Sequence, residues 1–380
     1  MYDFDTVVDR RNTGSLKWDV AENELPMWVA DMDFKTAPQI IEAISARVSH
    51  GVFGYSIIPD EWNDAYISWW DRRHGLKIER DSLIFCTGVV PAISSTVRKL
   101  TTPGENVLIM TPVYNIFFNS IFNNGVNVQE SPLGYENGRY FVDYDRLEHD
   151  LSNPQTSLMI FCNPHNPCGR VWPREDLERV ADICRRNGVI VISDEIHCEL
   201  EMPGYHFTPM ASLSQASQDN TVTMNSPSKS FNIAGLGISN IITNNPDWKK
   251  LIDRVININE LCDVNPFGVL ALQAAYNAGE AWLKELNEYV YANYRAMVSF
   301  FEERLPEFPV TKLEGTYLAW ADVRALNMCA NDIENSLLQT EKVWINSGVM
   351  YGLDGFMRIN IACPRKTLAE GLERIRKVLG

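Results

Sequence analysis

The sequence lacks any run of 18 consecutive apolar residues, and its first residues lack the basic-then-apolar order of a signal peptide. We therefore expect neither a membrane span nor a secretion signal. The eight cysteines include no C-x-x-C pair, which is typical of a reduced protein of the cytoplasm. Basic residues are scarce, with 34 Lys and Arg against 49 Asp and Glu and a formal net charge of −15. Because this charge repels phosphate groups, we expect no nucleic-acid partner and no membrane docking.

The sequence also lacks the common nucleotide-binding and hydrolase motifs. It contains no G-x-x-x-x-G-K-[ST] phosphate loop and no G-x-S-x-G nucleophile elbow. The run 235–240 begins like a dinucleotide fingerprint, but it has Asn240 at the third glycine position and does not follow a first strand. Cys162, His165 and Cys168 form a C-x-x-H-x-x-C run. Prolines stiffen this loop and no fourth ligand lies nearby in sequence, so we expect no metal site.

The chain is long enough for two or three globular domains. It has 380 residues, of which 45% are hydrophobic and 22% charged. In its middle part, short apolar runs alternate with amphipathic helical patterns, which is typical of a parallel sheet buried on both faces. The predicted strands cover 106–110, 158–162, 189–193 and 221–224, and the clearest helix covers 175–187. This alternation predicts an α/β fold with a mainly parallel sheet.

The C-terminal third has a different pattern, with longer helices and isolated strands. The patterns predict helices over 265–304, a strand near 316–322, a helix near 331–347, a strand over 356–361 and a last helix from Lys366. We therefore predict a large α/β domain over 41–275. A smaller α+β domain is predicted from 276–380 together with the N-terminal arm, 1–40, which is expected to pack on it.

Polar residues follow three of the predicted central strands. Asn166 comes just after the 158–162 strand, Asp194 ends the 189–193 strand, and Lys229 follows the 221–224 strand. A carboxylate at such a place is often only a helix cap, and a lysine in a serine-rich loop is usually solvated. Their common position at the carboxyl ends of parallel strands, where open α/β sheets bind their ligands, favours a functional site.

The motifs around these residues resemble those of fold-type I pyridoxal 5′-phosphate (PLP) enzymes. They are Asn-Pro-x-Asn-Pro-x-Gly at 163–169, Ser-Asp-Glu-Ile-His at 193–197 and Ser-x-Ser-Lys-Ser-Phe-Asn-Ile-Ala-Gly-Leu at 226–236. With Trp-Val-Ala-Asp-Met-Asp-Phe at 28–34 and Phe-Gly-Tyr at 53–55, the whole chain resembles the MalY/PatB group of cystathionine and cysteine-S-conjugate β-lyases. The resemblance implies the aspartate aminotransferase-like fold, with a large PLP-binding domain and a smaller domain.

The resemblance also implies a role for each matching residue. Lys229 matches the lysine that bonds to PLP and later removes the α-proton of the substrate. Asp194 matches the partner of the pyridinium nitrogen, and Asn166 the donor to the phenolic oxygen of the ring. Tyr114 matches the aromatic residue that stacks on the ring, so the catalytic set is Lys229, Asp194 and Tyr114. The cofactor set adds His197, for which a purely packed role is equally open.

Phosphate and substrate binding are implied at further positions. A helix begins after Gly88, Val89 and Val90, where exposed N–H groups favour an anion. Ser226 and Ser228 match hydroxyl donors to the same phosphate. Tyr55 matches a residue that reaches the site of a neighbouring subunit, which implies a homodimer with shared active sites. The substrate set comprises Arg358, which binds the α-carboxylate, with Ala30, Tyr114 and Asn166.

The implied reaction is α,β-elimination on L-cystathionine or a cysteine S-conjugate, giving a thiol such as homocysteine with pyruvate and ammonia. Many aminotransferases of this fold carry a phosphate-binding arginine eight residues after the lysine, where this chain has Gly237. This departure favours a lyase. An aminotransferase is the alternative, and a regulatory partner of a transcription factor with residual PLP chemistry is a further one.

Overall fold

A computed structural model describes residues 2–380 of the chain. Its strands, numbered in chain order, are β1 (Leu25–Pro26), β2 (Leu83–Cys86), β3 (Asn106–Ile109), β4 (Asn127–Glu130), β5 (Gly134–Glu136), β6 (Arg139–Phe141), β7 (Thr156–Cys162), β8 (Ile190–Asp194), β9 (Thr221–Asn225), β10 (Ser239–Ile242), β11 (Leu318–Asp322), β12 (Val343–Trp344), β13 (Asn346–Ser347) and β14 (Phe356–Asn360). Its helices are α1 (Pro38–His50), α2 (Asp60–His74), α3 (Val89–Leu100), α4 (Ile116–Phe122), α5 (Tyr144–Leu151), α6 (Arg174–Arg186), α7 (Gln215–Asp219), α8 (Pro246–Ile258), α9 (Pro266–Ala278), α10 (Glu280–Arg304), α11 (Ala330–Ser336) and α12 (Arg365–Leu379).

Seven strands form the main sheet in the order β2-β10-β9-β8-β7-β3-β4. All neighbouring pairs from β9 to β4 are parallel, and β10 runs antiparallel to both of its neighbours. Successive residues of one strand enter two different cores, since Ile160 packs in one cluster and Met159 and Phe161 in another. Both faces of the sheet are therefore covered, which explains the continuous apolar runs. The predicted α/β fold with a mainly parallel sheet is confirmed.

The register of the central strands brings their polar ends together. Cys162, the last residue of β7, lies opposite Asp194, the last residue of β8, and Asp194 lies opposite Met224 on β9. The chain therefore leaves all three strands at the same edge of the sheet. The loops that contain Asn166 and Lys229 start from this edge.

A second, three-stranded antiparallel sheet has the order β11-β14-β13. The predicted helix over 331–347 is wrong in its second half. Helix α11 ends at Ser336, a π-helical turn follows over Leu337–Glu341, and the chain then forms β12 and β13. Val343 and Ile345 are buried here. β12 pairs with Leu25–Pro26, more than 300 residues away, and β13 pairs with β14, so neither short strand is specified by the local pattern.

The N-terminal arm packs on the C-terminal third of the chain. β1 pairs in parallel with β12, and the rings of Trp28 and Trp344 stack with their centroids 4.4 Å apart. Phe4 contacts Trp282 and Tyr289 of α10. The predicted domain boundaries, 41–275 against the two ends of the chain, stay a prediction. Among residues 2–380, no helix is both long and apolar enough to cross a membrane.

Candidate active site

A cavity of about 200 Å³ opens at the carboxyl edge of β7 and β8 and against the start of α3. Ten of the residues predicted for the site line it: Ala30, Gly88, Val89, Val90, Tyr114, Asn166, Asp194, His197, Ser228 and Lys229. Four further residues complete its walls: Pro91, Cys162, Ile196 and Ala234. Residues separated by up to about two hundred positions in sequence thus meet in one cavity.

Lys229 lies in the turn that follows β9, and its amine faces the cavity. Nζ donates a hydrogen bond to the carbonyl oxygen of Ala30 at 2.8 Å. Burial lowers the pKa of Lys229 to about 8, and the positive charge of Arg358 acts in the same direction. The carboxylates of Asp31 and Asp194 oppose this shift. About a tenth of the amine is therefore uncharged at pH 7, far more than for an exposed lysine, which makes it an available nucleophile and base.

Asp194 ends β8 with its side chain in the cavity wall and only 4% of the residue exposed. Its Oδ1 accepts a hydrogen bond from the backbone N–H of Ile196 at 3.1 Å. Burial raises the pKa of Asp194 to about 7, while that hydrogen bond and the charge of Lys229 favour the ionised form. A cationic group placed against this carboxylate would hold it ionised.

The first turn of α3 offers backbone donors to the cavity. Gly88 is the N-cap in an extended conformation, and no side chain of the described residues caps the helix there. The first N–H groups of a helix have no partner inside it, and the helix dipole makes this end attractive to anions. Ser228, which also lines the cavity, adds a hydroxyl group. This wall of the cavity suits a phosphate.

Arg358 lies on β14 just behind the cavity lining, with 3% of the residue exposed. One terminal nitrogen donates to Asn166 Oδ1 at 3.1 Å and the other to the carbonyl oxygen of Trp28 at 2.7 Å. Its guanidinium lies over the ring of Tyr351, 4.8 Å from the centroid. Arg358 is thus a buried cation that is linked to the cavity through Asn166.

Aromatic side chains and one histidine form the remaining polar wall. Burial raises the pKa of Tyr114 to about 12, so its hydroxyl stays protonated. Burial also lowers the pKa of His197 well below its usual value, and its Nδ1 has no hydrogen-bond partner among residues 2–380. The rings of His197 and Tyr317 lie edge to face, 6.1 Å apart. Tyr317 donates its hydroxyl to the carbonyl oxygen of Ala30 at 2.9 Å.

Three of the predicted site residues do not line this cavity: Arg358, which lies just behind its wall, Tyr55 and Ser226. Tyr55 is fully exposed on the extended segment between α1 and α2. Ser226 is buried, its hydroxyl donates to the carbonyl oxygen of Ile238 at 2.5 Å, and it accepts from the N–H of Ser228 at 3.0 Å. Its proton is therefore used within the loop in this arrangement, and a phosphate role for Ser226 stays a prediction.

The residues of the C-x-x-H-x-x-C run do not converge on one point. The Cys162 thiol contacts the carbonyl oxygen of Pro164, and that of Cys168 contacts Pro112. Within residues 2–380, one other group of possible ligands comes together, formed by His74, Cys198 and Glu199.

Sequence reasoning missed Cys162 as part of the cavity wall and Asn360 as a neighbour of the site. Cys162 is the last residue of its strand and lies opposite Asp194, so strand register would have placed it there. Asn360 is two residues after Arg358 on the same strand, and alternate residues of a strand share a face. That spacing was the available signal for Asn360.

Comparison with known proteins gives the family of this chain. The model of the family "Aminotransferase class I and II" matches residues 22–375. The chain belongs to this family. It is 40% identical to "Cystathionine beta-lyase PatB" of Bacillus subtilis, covering 99% of both proteins, and 35% identical to "Protein MalY" of Escherichia coli, covering 98% of this chain and 97% of that one.

A solved structure resembles the chain over its whole length. It is the PLP-bound C-S lyase from Staphylococcus hominis, which has a TM-score of 0.93 and 34% sequence identity. The match covers 100% of this chain and 98% of that chain. The resemblance inferred from the motifs is therefore confirmed, and so is the aspartate aminotransferase-like fold.

Proposed function

We propose that the protein is a PLP-dependent carbon–sulfur β-lyase that converts L-cystathionine or a cysteine S-conjugate to a thiol, pyruvate and ammonia. One observation carries the proposal. The Lys229 amine, the Asp194 carboxylate and the open N-terminus of α3 all face one cavity. The names of PatB and of the Staphylococcus hominis C-S lyase support this choice within a family that also contains aminotransferases.

The donor groups of the cavity fit the functional parts of PLP. The uncharged amine of Lys229 suits the aldehyde of PLP, with which it would form a bond. The buried carboxylate of Asp194 suits the ring nitrogen, and the N-terminus of α3 suits the phosphate. Asn166 would contact the phenolic oxygen and Tyr114 the ring. When bound, the cofactor withdraws electrons from the α-carbon of the substrate and so makes the α-proton removable.

Side chains of the protein would bind the substrate and remove its α-proton. Arg358, already linked to Asn166, would hold the α-carboxylate through two parallel hydrogen bonds. This orients the α-carbon toward Lys229, whose lowered pKa lets its amine accept the α-proton. Tyr114 keeps its proton and would face the departing sulfur side as a neutral donor.

Position 237 supports the lyase over the aminotransferase. Gly237 has a φ of +60°, and a Cβ built there would lie 3.3 Å from the carbonyl oxygen of Thr87. An arginine at this position would be strained, because side-chain-bearing residues rarely adopt this left-handed conformation. The local backbone is thus adapted to the absence of the second phosphate-binding cation that many aminotransferases place there.

We also propose a homodimer with shared active sites, located in the cytoplasm. Around the fully exposed Tyr55, the segment from α1 to the start of α2 exposes several large apolar side chains: Ile41, Val48, Val52, Phe53 and Ile57. A patch of this kind is typical of an interface. A second copy seated on it would cover these side chains and bring Tyr55 against a neighbouring site.

The reaction is tested by mixing the PLP-loaded protein with L-cystathionine or an S-alkyl-L-cysteine, with no keto acid added. We expect pyruvate and free thiol to appear together at equal rates. The Lys229→Ala variant should release neither. Turnover that starts only after an acceptor such as 2-oxoglutarate is added would identify an aminotransferase instead.

A further inference from the structure

The segment Trp28 to Met32 is held over the cavity by side chains from distant parts of the chain. Each of its five carbonyl groups accepts a hydrogen bond from a side chain, and the donors include Arg358, Asn360, Lys229, Tyr317 and Asn232. A loop would ordinarily satisfy its carbonyls with water or local backbone. Five consecutive carbonyls bonded to side chains instead indicate a segment whose position matters.

The middle carbonyl of this segment faces the site. Ala30 lines the cavity, and its oxygen accepts from Lys229 Nζ at 2.8 Å and from the Tyr317 hydroxyl at 2.9 Å. An uncharged amine that donates one N–H to this oxygen has its lone pair directed away from it. The place and direction of the Ala30 carbonyl therefore decide where the basic lone pair of Lys229 points.

Asn360 holds the two carbonyls on either side of Ala30. Its Nδ2 donates to Val29 and to Asp31, both at 2.6 Å, and its Oδ1 accepts from the N–H of Ala362 at 2.8 Å. Asn360 is 1% exposed. Because both amide hydrogens and the amide oxygen are bonded to backbone, the side chain cannot turn without losing a buried hydrogen bond.

We propose that Asn360 is a positioning residue of the reaction, which fixes the Ala30 carbonyl as the point to which the Lys229 amine is bonded whenever it is not bonded to carbon. The inference rests on the proposed function for the role of Lys229. Asn360 does not line the cavity and its side chain makes no hydrogen bond to Lys229, so it acts through the backbone of Val29 to Asp31. Arg358 lies on the same face of β14, so one strand both binds the substrate side and orients the base.

The test replaces Asn360 with leucine, which has a similar shape but no donors. In the PLP-loaded enzyme we expect kcat to fall roughly 10- to 100-fold, the effect of a displaced catalytic group, with KM changed less than about threefold. In the cofactor-free full-length chain, trace labelling with acetic anhydride and mass spectrometry gives the midpoint pH for acetylation of Lys229. In the wild type the fixed Ala30 carbonyl stabilises the ammonium form of Lys229. Its displacement in Asn360→Leu should therefore lower this midpoint by about half a pH unit.

Asn293 provides a matched control. It is fully buried, and its Nδ2 also donates to two alternate carbonyls, those of Ile361 and Cys363, both at 2.8 Å. These carbonyls do not belong to the cavity. Asn293 Oδ1 has no hydrogen-bond partner among residues 2–380, whereas Asn360 Oδ1 has one. Asn293→Leu should therefore lower the urea midpoint of unfolding, by less than Asn360→Leu does, while kcat and the labelling midpoint of Lys229 stay near wild type.

The inference is overturned if Asn360→Leu and Asn293→Leu both lose stability and both leave the Lys229 midpoint unchanged. If Asn360→Leu does not fold, Asn360→Ser replaces it, since serine keeps one donor and should give smaller changes in the same directions. The labelling result is independent of turnover. A wild-type enzyme that releases no thiol would overturn the proposed function and leave the test of Asn360 standing.

Discussion

Burial brings the pKa values of the two main titrating side chains of the cavity toward each other. That of Lys229 falls to about 8, and that of Asp194 rises to about 7. Both shifts have the same cause, because desolvation penalises whichever form is charged. In solution, an exposed lysine amine is almost entirely protonated at neutral pH. In this cavity the amine is partly free, while the carboxylate requires a positive partner to stay ionised.

The pKa of Lys229 predicts how the cofactor-free protein captures PLP. Only the uncharged amine reacts, so the rate should rise about 16-fold between pH 6.5 and pH 8, rise about twofold more by pH 9.5, and then level off. The rate is measured by stopped-flow visible absorbance. Lys229→Ala is the control and should show no such phase. A rate that keeps rising beyond pH 9.5 would contradict the lowered pKa.

For single residues, the sequence predicted those that lie in short motifs. It did not reveal side chains whose partners are backbone carbonyl groups elsewhere in the chain. Lys229, Asp194 and Asn166 follow strands whose ends meet, so the motif and the predicted sheet placed them correctly in one cavity. The hydroxyl of Ser226 donates to Ile238, and the amide of Asn360 donates to carbonyls about 330 positions away. Such hydrogen-bond partners cannot be predicted from the local sequence.

Helix α3 shows how one element contributes without a side chain. Its first residues line the cavity, and no described side chain caps their N–H groups. Hydrogen bonds from these groups to a phosphate are charge-assisted and therefore stronger than hydrogen bonds between neutral groups. A substitution that removes one N–H but leaves the helix intact can measure this contribution.

Val89→Pro is such a substitution. Proline is favoured at the first helical position, and Gly88 before it already has the extended backbone that a following proline requires. The loss of one donor to a charged phosphate should weaken PLP binding about 10- to 100-fold. Binding is measured by fluorescence titration of the cofactor-free protein.

Pyridoxal, which lacks the phosphate, is the matched ligand for this experiment. Its affinity should be the same for the wild type and for Val89→Pro, because pyridoxal carries no phosphate for the Val89 N–H to bind. An equal loss of affinity for both ligands would show that the N–H does not act on the phosphate and would contradict the assignment of the phosphate to α3.

The elements predicted from periodicity differ in how well they match the structure. Four of the seven strands of the main sheet, β3, β7, β8 and β9, were predicted within two residues, because strands buried on both faces give continuous apolar runs. The other three, β2, β4 and β10, were not predicted. The region 331–347 was predicted as a helix and contains two short strands, since Leu25–Pro26 pairs with Val343–Trp344. Pairing between segments more than 300 residues apart has no local signature.

At the scale of the whole molecule, the exposed apolar segment around Tyr55 is a feature that a single chain leaves unexplained. Phe53 and Ile57 are more than half exposed, and Tyr55 is fully exposed. Burying such side chains against a second copy is favourable by about 25 cal/mol for each Å² removed from water. The proposed dimer with shared sites follows from this surface and from the family resemblance of Tyr55.

Shared sites predict that two inactive variants can restore activity together. Lys229→Ala and Tyr55→Phe should each have little activity alone. A mixed dimer of the two contains one site with an intact Lys229 and an intact Tyr55. After subunit exchange at equal concentrations, half of the dimers are mixed, so we expect about a quarter of the wild-type rate. A rate equal to the mean of the separate variants would show that Tyr55 does not complete a neighbouring site.

The segment from Trp28 to Met32 also limits how the molecule can move. Arg358 and Asn360 bind it to β14, while Lys229 and Asn232 bind it to the loop after β9. A hinge rotation that separated these two parts would break one set of these bonds. The segment therefore acts as a tether between the three-stranded sheet and the loops of the main sheet, and the two parts cannot separate while both sets of hydrogen bonds last.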